Sequence, residues 1–489
     1  MTKRELTLAI ASAWLVTGCA VGPDFQPPAA QATDRYTARP VAQDLVANGA
    51  VVQSLAAGKD IPAEWWSLLH SPELDAMVRQ ALAANADLQA AQSSLQAAQE
   101  TVSAQRAALF PTVNAQFTPT RQLVAPILAS PLASGENIYS LHTAQLNIAY
   151  APDVFGGTRR QIESAQAQAE TARFQLEAAQ LTLTANLVAT VIQRASTRAQ
   201  IEATHEIIQL SGSQLAMVRR QQALGQVGSA EVAAQEALVA QFEATLPPLE
   251  KQLAQQRNLL AVLMGRLPSD AEIPEIGLDA LQLPRELPLS LPSRLVAQRP
   301  DVRAAESQWH AASAQVGVAT AARLPSLDIT ANVGTTALKL AELATSGTGF
   351  WALGAGITQP LFDAGALKHR QGAAEAVAAQ AAAQYRSTVL GAFQNVADSL
   401  NALESDATAM TAQTRAEGAA RRSLDVARAR RDAGATGGLE LLIAQQASQQ
   451  AALARVQAQA SQQADSVALL QALGGGWWNR PEQSAGLAR

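Results

Sequence analysis

The most informative stretch of the chain is Leu327-Asp328-Ile329-Thr330-Ala331-Asn332-Val333, in which odd positions are apolar and even positions are polar. Side chains of a β-strand point alternately to opposite faces, so this stretch predicts a strand with one oily face. Residues 351–358, Trp-Ala-Leu-Gly-Ala-Gly-Ile-Thr, repeat the plan with small residues on the second face. Strands of ~10 residues with aromatic residues near their ends are typical of a membrane barrel with a polar lumen. A soluble sheet edge is the alternative interpretation.

The chain carries an internal duplication. Five landmarks of the first half recur in the same order in the second half, at offsets of 214, 214, 208, 209 and 209 residues. The landmarks are Asp87, Pro111, Gly157, Gly225 and Gly265, followed by Asp301, Pro325, Gly365, Gly434 and Gly474. Constant spacing of this kind indicates that each half contains the same series of elements.

Each copy is predicted to join two strands to long Ala/Gln-rich helices. The first copy predicts helix at 72–110, strands at 112–121 and 138–151, and helices at 158–224 and 229–264, the last interrupted at Pro247-Pro248. The second predicts helix at 293–323 with a start or break at Pro300, strands at 326–336 and 350–361, and helices at 366–432 and 439–473. Helices of ~65 residues would reach ~100 Å, beyond any ordinary globular helix.

These elements predict an α+β membrane protein with six segments. They are a signal peptide (1–18), a lipidated strap (19–71), the first repeat (72–265), a Pro-rich connector (266–292), the second repeat (293–474) and a tail (475–489). Trp65 and Trp66 are expected to be packing anchors at the end of the strap. Four strands cannot close a membrane barrel, since known barrels start at ~8 strands. Open edges in lipid would leave backbone groups unpaired, so several chains are expected to share one barrel.

The first nineteen residues predict export and lipidation. Lys3 and Arg4 precede an apolar run that is too short to span a bilayer, as in a signal peptide. The run ends in Val16-Thr17-Gly18-Cys19, which resembles a bacterial lipoprotein cleavage box, so Cys19 is expected to carry a diacylglyceride and a palmitoyl group. An ordinary signal peptide is the alternative. Because Ala20 rather than Asp follows Cys19, the expected location is the outer membrane.

Composition disfavours several classes of function. The net charge is −5 and aromatic residues make up 4% of the chain, so neither a basic surface nor a stacking platform for nucleic acid is expected. The five histidines are scattered without metal-ligand spacing, and the chain has no phosphate-binding loop or cofactor fingerprint. We therefore predict no enzyme, no metal and no cofactor besides the lipid.

Six motifs resemble the TolC-like outer-membrane efflux lipoproteins, the NodT-type branch. They are Thr17-Gly18-Cys19, Val21-Gly22-Pro23-Asp24, Trp65-Trp66, Gln298-Arg299-Pro300-Asp301-Val302, Gln359-Pro360-Leu361-Phe362-Asp363 and Leu473-Gly474-Gly475-Gly476-Trp477. The resemblance implies a homotrimer with a 12-stranded outer-membrane β-barrel, four strands per protomer, continued by an α-helical barrel across the periplasm. It also implies a periplasmic adaptor of the membrane-fusion class and an inner-membrane pump of the resistance-nodulation-division type.

The resemblance assigns two further regions. The adaptor is expected to dock on two helix-hairpin tips, which contain Gly225, Val227, Gly228, Gly434, Thr436 and Gly437. A constriction is expected just past the second tip, at Leu439, Glu440, Ile443 and Gln446. Ile443 and Gln446 stand where relatives carry Asp and Arg, so the charged latch does not carry over. Our hypothesis is closure by apolar packing around Ile443, with Glu440 or Glu231 as carboxylates nearby, unless Glu440 is simply a solvated surface residue.

The resemblance thus predicts the exit duct of a tripartite efflux pump, which conducts small toxic molecules passively to the exterior. A channel for dedicated peptide or protein secretion would share this architecture and stays open as an alternative. A periplasmic coiled-coil adaptor would also be exported, but it would place one helical hairpin between compact β modules. The order of elements disfavours that class.

Overall fold

The computed structural model describes residues 20–28, 33, 35–125, 127, 136–270, 272–435 and 438–480. Within them the α-helices are α1 Pro72–Ala84, α2 Ala86–Ala107, α3 Gly157–Ala223, α4 Ser229–Glu243, α5 Leu246–Leu263, α6 Pro292–Gln298, α7 Pro300–Ala321, α8 Ala366–Asp432 and α9 Gly438–Ala472. The strands are β1 Asp44–Ala47, β2 Ala50–Ala57, β3 Thr112–Leu123, β4 Ile138–Tyr150, β5 Glu286–Leu289, β6 Ser326–Ala337 and β7 Gly349–Thr358. The predicted signal peptide and Cys19 lie outside the described residues.

These residues form two compact units. The first contains the described part of Met1–Pro27, with Leu95–Ala172 and Ala305–Tyr385. The second contains Pro28–Ser94, Arg173–Ala304 and Arg386–Arg489 in their described parts. Helices α3 and α8 each span 67 residues and contribute to both units, and their bounds match the predicted long helices.

The first predicted helix, 72–110, is wrong as a single element, because it breaks at Asn85. The Asn85 Oδ1 atom accepts a hydrogen bond from the Leu88 backbone N–H at 3.0 Å, which caps the start of α2. The Asn85 Nδ2 atom also donates to the Leu263 carbonyl at 3.1 Å, at the end of α5. Arg299 occupies the same place in the second copy, between α6 and α7, and its Nη1 atom donates to the Ala472 carbonyl at 3.0 Å. The duplication therefore extends to tertiary contacts.

A three-stranded sheet in the strap and connector was not predicted. Strands β1 and β2 form an antiparallel hairpin, and β5 of the connector pairs in parallel with β2. Asn48 and Gly49 turn the hairpin with φ of 53° and 80°, values that an Asn-Gly pair adopts readily. The sheet buries Leu45, Leu55 and Leu287. Strap and connector thus share one small core.

The paired tryptophans pack as predicted. Trp65 and Trp66 are both buried, and the Trp66 indole N–H donates to the Asp75 carboxylate at 3.0 Å. Trp477 packs in the same unit, where its indole N–H donates to the Gln298 carbonyl at 2.7 Å. These indole groups bury large apolar area while satisfying their single donor.

A second sheet contains the four long strands in the order β3-β4-β6-β7, and all its pairs are antiparallel. The hairpin of the first repeat (β3, β4) meets that of the second repeat (β6, β7) along the β4–β6 pair. Strands β3 and β7 form the two edges of this sheet. The duplication therefore produces one continuous sheet from two equivalent hairpins.

Gly265 and Gly474 close equivalent corners of the two repeats. Their φ angles are 70° and 97°, in the left-handed region. A Cβ atom on Gly474 would lie 2.6 Å from the Gln298 carbonyl oxygen, and one on Gly265 would overlap the Ala84 carbonyl oxygen. Each glycine therefore allows a return helix to end directly against the end of an earlier helix.

We expect Gly265→Ala to lower the free energy of unfolding by roughly 1–3 kcal/mol or more, because alanine is strained at positive φ and its methyl group meets backbone. Thermal dissociation of the purified protein measures the loss. Gly212→Ala is the matched control: Gly212 lies inside α3 with open space around it, so the substitution should be neutral or stabilising. Equal melting temperatures for Gly265→Ala and the wild type would contradict this account of the corner.

Candidate channel wall and helix tips

The register of the four-stranded sheet collects the apolar side chains on one face. Directly paired residues of antiparallel strands share a face, and Leu146 pairs with Val333, which pairs with Trp351. Extending this pairing gives an apolar face of Val113, Ala115, Phe117, Ala144, Leu146, Ile148, Ile329, Ala331, Val333, Trp351, Leu353 and Ile357. The predicted alternation is therefore coherent across all four strands.

The opposite face consists mostly of polar or small residues, with Tyr139, Leu141 and Phe350 as its large members. One row across the sheet reads Asn114, Asn147, Asn332 and Ala352. The Asn147 Nδ2 atom donates to Gln116 Oε1 at 3.0 Å, while its Oδ1 atom accepts from Gln145 Nε2 at 2.9 Å. Such a ladder of amides suits contact with water rather than with hydrocarbon.

The apolar face is uncovered within one chain. Trp351 is 77% exposed, and Leu353, Ile357 and Phe117 are exposed as well. Phe110 and Phe362, which flank the first and last strands of the sheet, are also exposed. Apolar surface of this extent marks a membrane or protein contact. The edges at β3 and β7 add unpaired backbone groups, which only closure with further strands can satisfy in lipid.

The two helix-hairpin tips have the same backbone geometry. At the first tip Gly225 has φ of 72° and donates its N–H to the Gln222 carbonyl at 2.8 Å. At the second, Gly434 has φ of 70° and donates to the Arg431 carbonyl at 2.9 Å. Each glycine is thus a C-terminal cap in the left-handed conformation, which ends α3 at the first tip and α8 at the second. Thr436 and Gly437 lie outside the described residues.

The first tip is completed by α4. Val227 is half-buried and Gly228 is exposed. The Gly228 N–H donates to Glu231 Oε2 at 3.0 Å, so Glu231 caps the first turn of α4. The Glu231 carboxylate, which was expected near the constriction, is therefore already hydrogen-bonded within its own helix.

Past the second tip, α9 turns one face to α8 and another outward. Leu441 and Ala444 are buried in a cluster with Leu424 and Ala427 of α8. Ile443 lies off that face and is 60% exposed, and Gln446 is half-buried. The structure therefore leaves Ile443 free to meet side chains from outside its own hairpin. The side chain of Leu439 lies outside the described residues.

Glu440 is held within its hairpin. Its Oε1 atom lies 3.2 Å from Nη1 of Arg430, which occupies the last turns of α8. Both side chains are largely exposed, so this ion pair contributes little to stability. The opposite charges of Arg430 and Glu440, which flank one turn, are a local signal from which this pair could be predicted.

One carboxyl group in the described residues has a pKa close to neutrality. Burial, a hydrogen bond with Asp465 and repulsion from Asp465 together raise the pKa of Asp406 to about 7. Asp406 lies in α8 and Asp465 in α9, well before and after the second tip in the chain. Protonation near neutral pH is thus a property of the helix pair rather than of the tip.

Among the described residues, no helix combines the length and apolarity needed to cross a membrane. In the same part of the chain, no three His, Cys, Asp or Glu side chains converge as metal ligands would.

The two-faced sheet, its open edges and the paired helical hairpins define the class of outer-membrane channels. Residues 77–266 and 291–475 match the outer membrane efflux protein family, in two segments that coincide with the two repeats. The chain belongs to this family, and it is an outer-membrane protein of the efflux type.

Individual relatives agree along most of the chain. The probable efflux pump outer membrane protein TtgC of Pseudomonas putida is 30% identical over 490 residues, covering 99% of this chain and 98% of the relative. The pyoverdine export outer membrane protein OpmQ of Pseudomonas aeruginosa is 30% identical over 448 residues, covering 89% and 92%. The structure of the outer-membrane channel OprN superposes with a TM-score of 0.85 at 27% identity, covering 94% of this chain and 100% of that chain. The predicted family, fold class and location are confirmed.

We expect Val333→Lys to reduce membrane assembly, because a charge on the lipid face of a barrel costs up to ~2–4 kcal/mol near the bilayer midplane. Asn332→Lys is the matched control on the adjacent residue, whose side chain belongs to the polar face. The measurement is the fraction of heat-modifiable oligomer in detergent extracts of outer membranes. A greater loss for Asn332→Lys than for Val333→Lys would reverse the assignment of the two faces.

Proposed function

We propose that this protein is the passive exit duct of a tripartite efflux pump, assembled as a homotrimer in which each chain contributes four strands to a 12-stranded barrel. The observation that carries the proposal is the four-stranded sheet, with one continuous apolar face and two unpaired edges. Pairing β3 of one copy with β7 of the next satisfies both edges and puts the amide ladder around a lumen. Channels of this family with known structures support the same arrangement.

The helical parts of three copies would continue the lumen into the periplasm. We propose that a periplasmic adaptor docks on the tips at Gly225–Gly228 and around Gly434, and that an inner-membrane pump of the resistance-nodulation-division type supplies the substrate. The tips suit docking because their left-handed glycine caps present exposed backbone at the ends of both hairpins. The duct itself performs no chemistry in this proposal.

The substrates we propose are small molecules. Relatives are named for the efflux of toluene, of antibiotics and for export of pyoverdine, which are all small compared with a folded protein. A channel for peptide or protein secretion is the second candidate, and the same wall would serve it. The predicted acylation of Cys19 is retained as part of the proposal, since lipid on this residue would add a second membrane anchor.

The deciding experiment is deletion of the gene followed by complementation with the intact gene. We expect the deletion strain to accumulate a fluorescent efflux substrate and to become severalfold more susceptible to toluene and to several antibiotics, with both traits restored by complementation. Val333→Lys, which we expect to reduce barrel assembly, should complement poorly, whereas Asn332→Lys should succeed. Unchanged susceptibility with loss of a secreted peptide would favour the second candidate instead.

We further propose that the periplasmic end closes by apolar contact between copies of Ile443. An apolar constriction excludes water and so blocks ions without a charged latch. The 60% exposure of Ile443 in the single chain leaves its side chain available for this contact. The Glu440 carboxylate, three residues before Ile443, lies 3.2 Å from the Arg430 guanidinium, which offsets its charge.

We expect Ile443→Asn to raise the single-channel conductance in planar bilayers severalfold, because a polar ring would let water enter the constriction. Ile443→Val keeps an apolar side chain and is the control, with conductance near the wild-type value. Wild-type conductance should change little between pH 5 and pH 7, and Asp406→Asn separates any response from the helix pair. Acid-induced opening that Glu440→Gln abolishes would refute the apolar gate.

A further inference from the structure

The residues that follow Cys19 are held by hydrogen bonds and close packing on the first unit. Residues 20–25 run across the start of α3, from the first repeat, and the middle of α7, from the second repeat. The Val21 N–H donates to the Phe155 carbonyl at 3.1 Å, in the turn that leads from β4 into α3. We call these residues and their contacts on α3 and α7 the strap clasp.

Arg160 is the centre of the strap clasp. Its side chain is only 6% exposed. The guanidinium donates to the backbone carbonyls of Val21 at 3.2 Å, Gly22 at 3.4 Å and Ala20 at 3.5 Å. It also donates to Asp24 Oδ1 at 2.6 Å and to Glu163 Oε2 at 2.7 Å. Three successive carbonyls and two carboxylates thus surround one buried cation.

This arrangement depends on the strap. Removing partners from a buried charge leaves it uncompensated, which is strongly destabilising. The carboxylate of Glu163 alone would balance the charge, but it accepts from only one side of the guanidinium. The remaining donors of Arg160 are directed to strap carbonyls and to Asp24. Arg160 therefore binds the strap through three backbone carbonyls and one carboxylate.

Glycines bring the backbones into direct contact. Gly22 has φ of 98°, and a Cβ atom there would overlap the Cα atom of Gly317 in α7. A Cβ atom on Gly317 would lie 2.7 Å from Arg160 Cγ and 2.9 Å from the Val21 carbonyl oxygen. A Cβ atom on Gly156 would lie 2.6 Å from the Cα atom of Ala20. No larger residue fits at these crossings without displacing the strap.

Phe25, the last residue of the strap clasp, makes aromatic contacts with α7. The Phe25 ring stacks on the His310 ring with centroids 4.5 Å apart, and it meets Trp309 edge-on at 5.3 Å. His310 Nε2 lies 2.8 Å from Glu163 Oε1, which joins α7 to α3. Burial by itself would raise the pKa of Glu163, but hydrogen bonds from Arg160 and His310 outweigh it and hold that pKa below its ordinary value. Because a depressed pKa keeps this carboxylate charged, its stabilising contribution is present above the ordinary value of 4.5 and is lost only as the pH falls below it.

We propose that the strap clasp is a binding site for the processed N-terminus, which ties the two repeats together beside the sheet and holds the lipid-bearing end of the chain at a fixed position. Ala20 is the neighbour of Cys19 in the chain, so an acyl group on Cys19 would be one residue from a fixed point. The acyl chains would then enter the membrane at a fixed position beside the sheet, and not at the end of a flexible segment. The lipid part of this inference rests on the proposed acylation, and the clasp itself does not.

Limited chymotrypsin digestion of the detergent-purified full protein tests the proposal at the Phe25–Gln26 bond. We expect Gly22→Val and Arg160→Met each to speed cleavage there at least tenfold, because either change releases Phe25 from its contacts. Arg160→Lys should fall between, since an ammonium group cannot reach all three carbonyls. Asp24→Asn should change the rate less than threefold, because the amide oxygen can still accept from the guanidinium, and the Asp24 side chain is 88% exposed.

Gly58→Val is the matched control for Gly22→Val. Gly58 also has positive φ, at 78°, but a Cβ atom there meets nothing within 4 Å. It should leave cleavage at Phe25 unchanged. Gly22→Val alters only the strap, so its assembly into heat-modifiable oligomer should persist even where Arg160→Met fails to fold. Wild-type cleavage rates in Gly22→Val would overturn the proposal.

The same digest separates the two proposals. Mass spectrometry of the released peptide Cys19–Phe25 reports whether Cys19 carries acyl chains. An unacylated peptide from the wild type, with cleavage still accelerated by Gly22→Val, would refute the lipid anchor and leave the clasp standing. An acylated peptide that is released equally fast from the wild type and from Gly22→Val would refute the clasp and leave lipidation standing.

Discussion

The open edges of the four-stranded sheet are the constraint on which the rest of the structure depends. A sheet with one oily face is stable in lipid only when every peptide group at its edges has a partner, because each unpaired group costs several kcal/mol in hydrocarbon. Among the described residues, strands β3 and β7 have no partner on their outer sides. A single copy is therefore incomplete, and the missing strands have to come from other copies. Assembly and membrane insertion are thus parts of the same requirement.

The long helices are stabilised by close packing of their backbones. Long helices rich in Ala and Gln have little large apolar surface to bury, so they depend on close backbone approach and on corners that fit. Gly265 and Gly474 allow those corners, while Asn85 and Arg299 reach across to the last carbonyls of the return helices. The same solution occurs in both repeats, which indicates that one packing unit was duplicated whole. A conduit built this way needs no reactive side chain, and its wall is defined by packing and polarity.

The strap clasp adds a third level of organisation. The buried Arg160 guanidinium needs its hydrogen-bond partners, and most of them belong to residues 20–24. These residues are therefore part of the folded first unit. The strap clasp joins α3 of the first repeat to α7 of the second. In the same unit, β4 of the first repeat pairs with β6 of the second, so both helices and strands connect the two repeats there. In the proposed trimer, acyl chain and sheet would enter the membrane from one rigid body.

Local signals explain what could be predicted. The alternation at 327–333, the prolines and glycines at element ends and the unbroken Ala/Gln helices all act over a few residues, so strands and long helices were located to within a few residues. The Asn48-Gly49 turn was an equally local signal, but the strap around it lacks clear alternation, and its partner strand β5 lies far away in sequence. Asn85 caps the start of α2 through the Leu88 N–H, which is a local signal, whereas its contact with the Leu263 carbonyl is one that no local pattern reports.

By itself, the sequence determined the four long strands with their two faces, the long helices and the duplication, because side-chain periodicity follows directly from backbone geometry. Only the tertiary structure decided the strand order that joins the apolar faces of four strands into one, and the burial of Arg160 under the strap. These depend on which distant groups meet when the chain folds. An arginine that ends at the surface and one that ends in a cage of carbonyls look the same in the sequence, and only the path of the neighbouring backbone separates them.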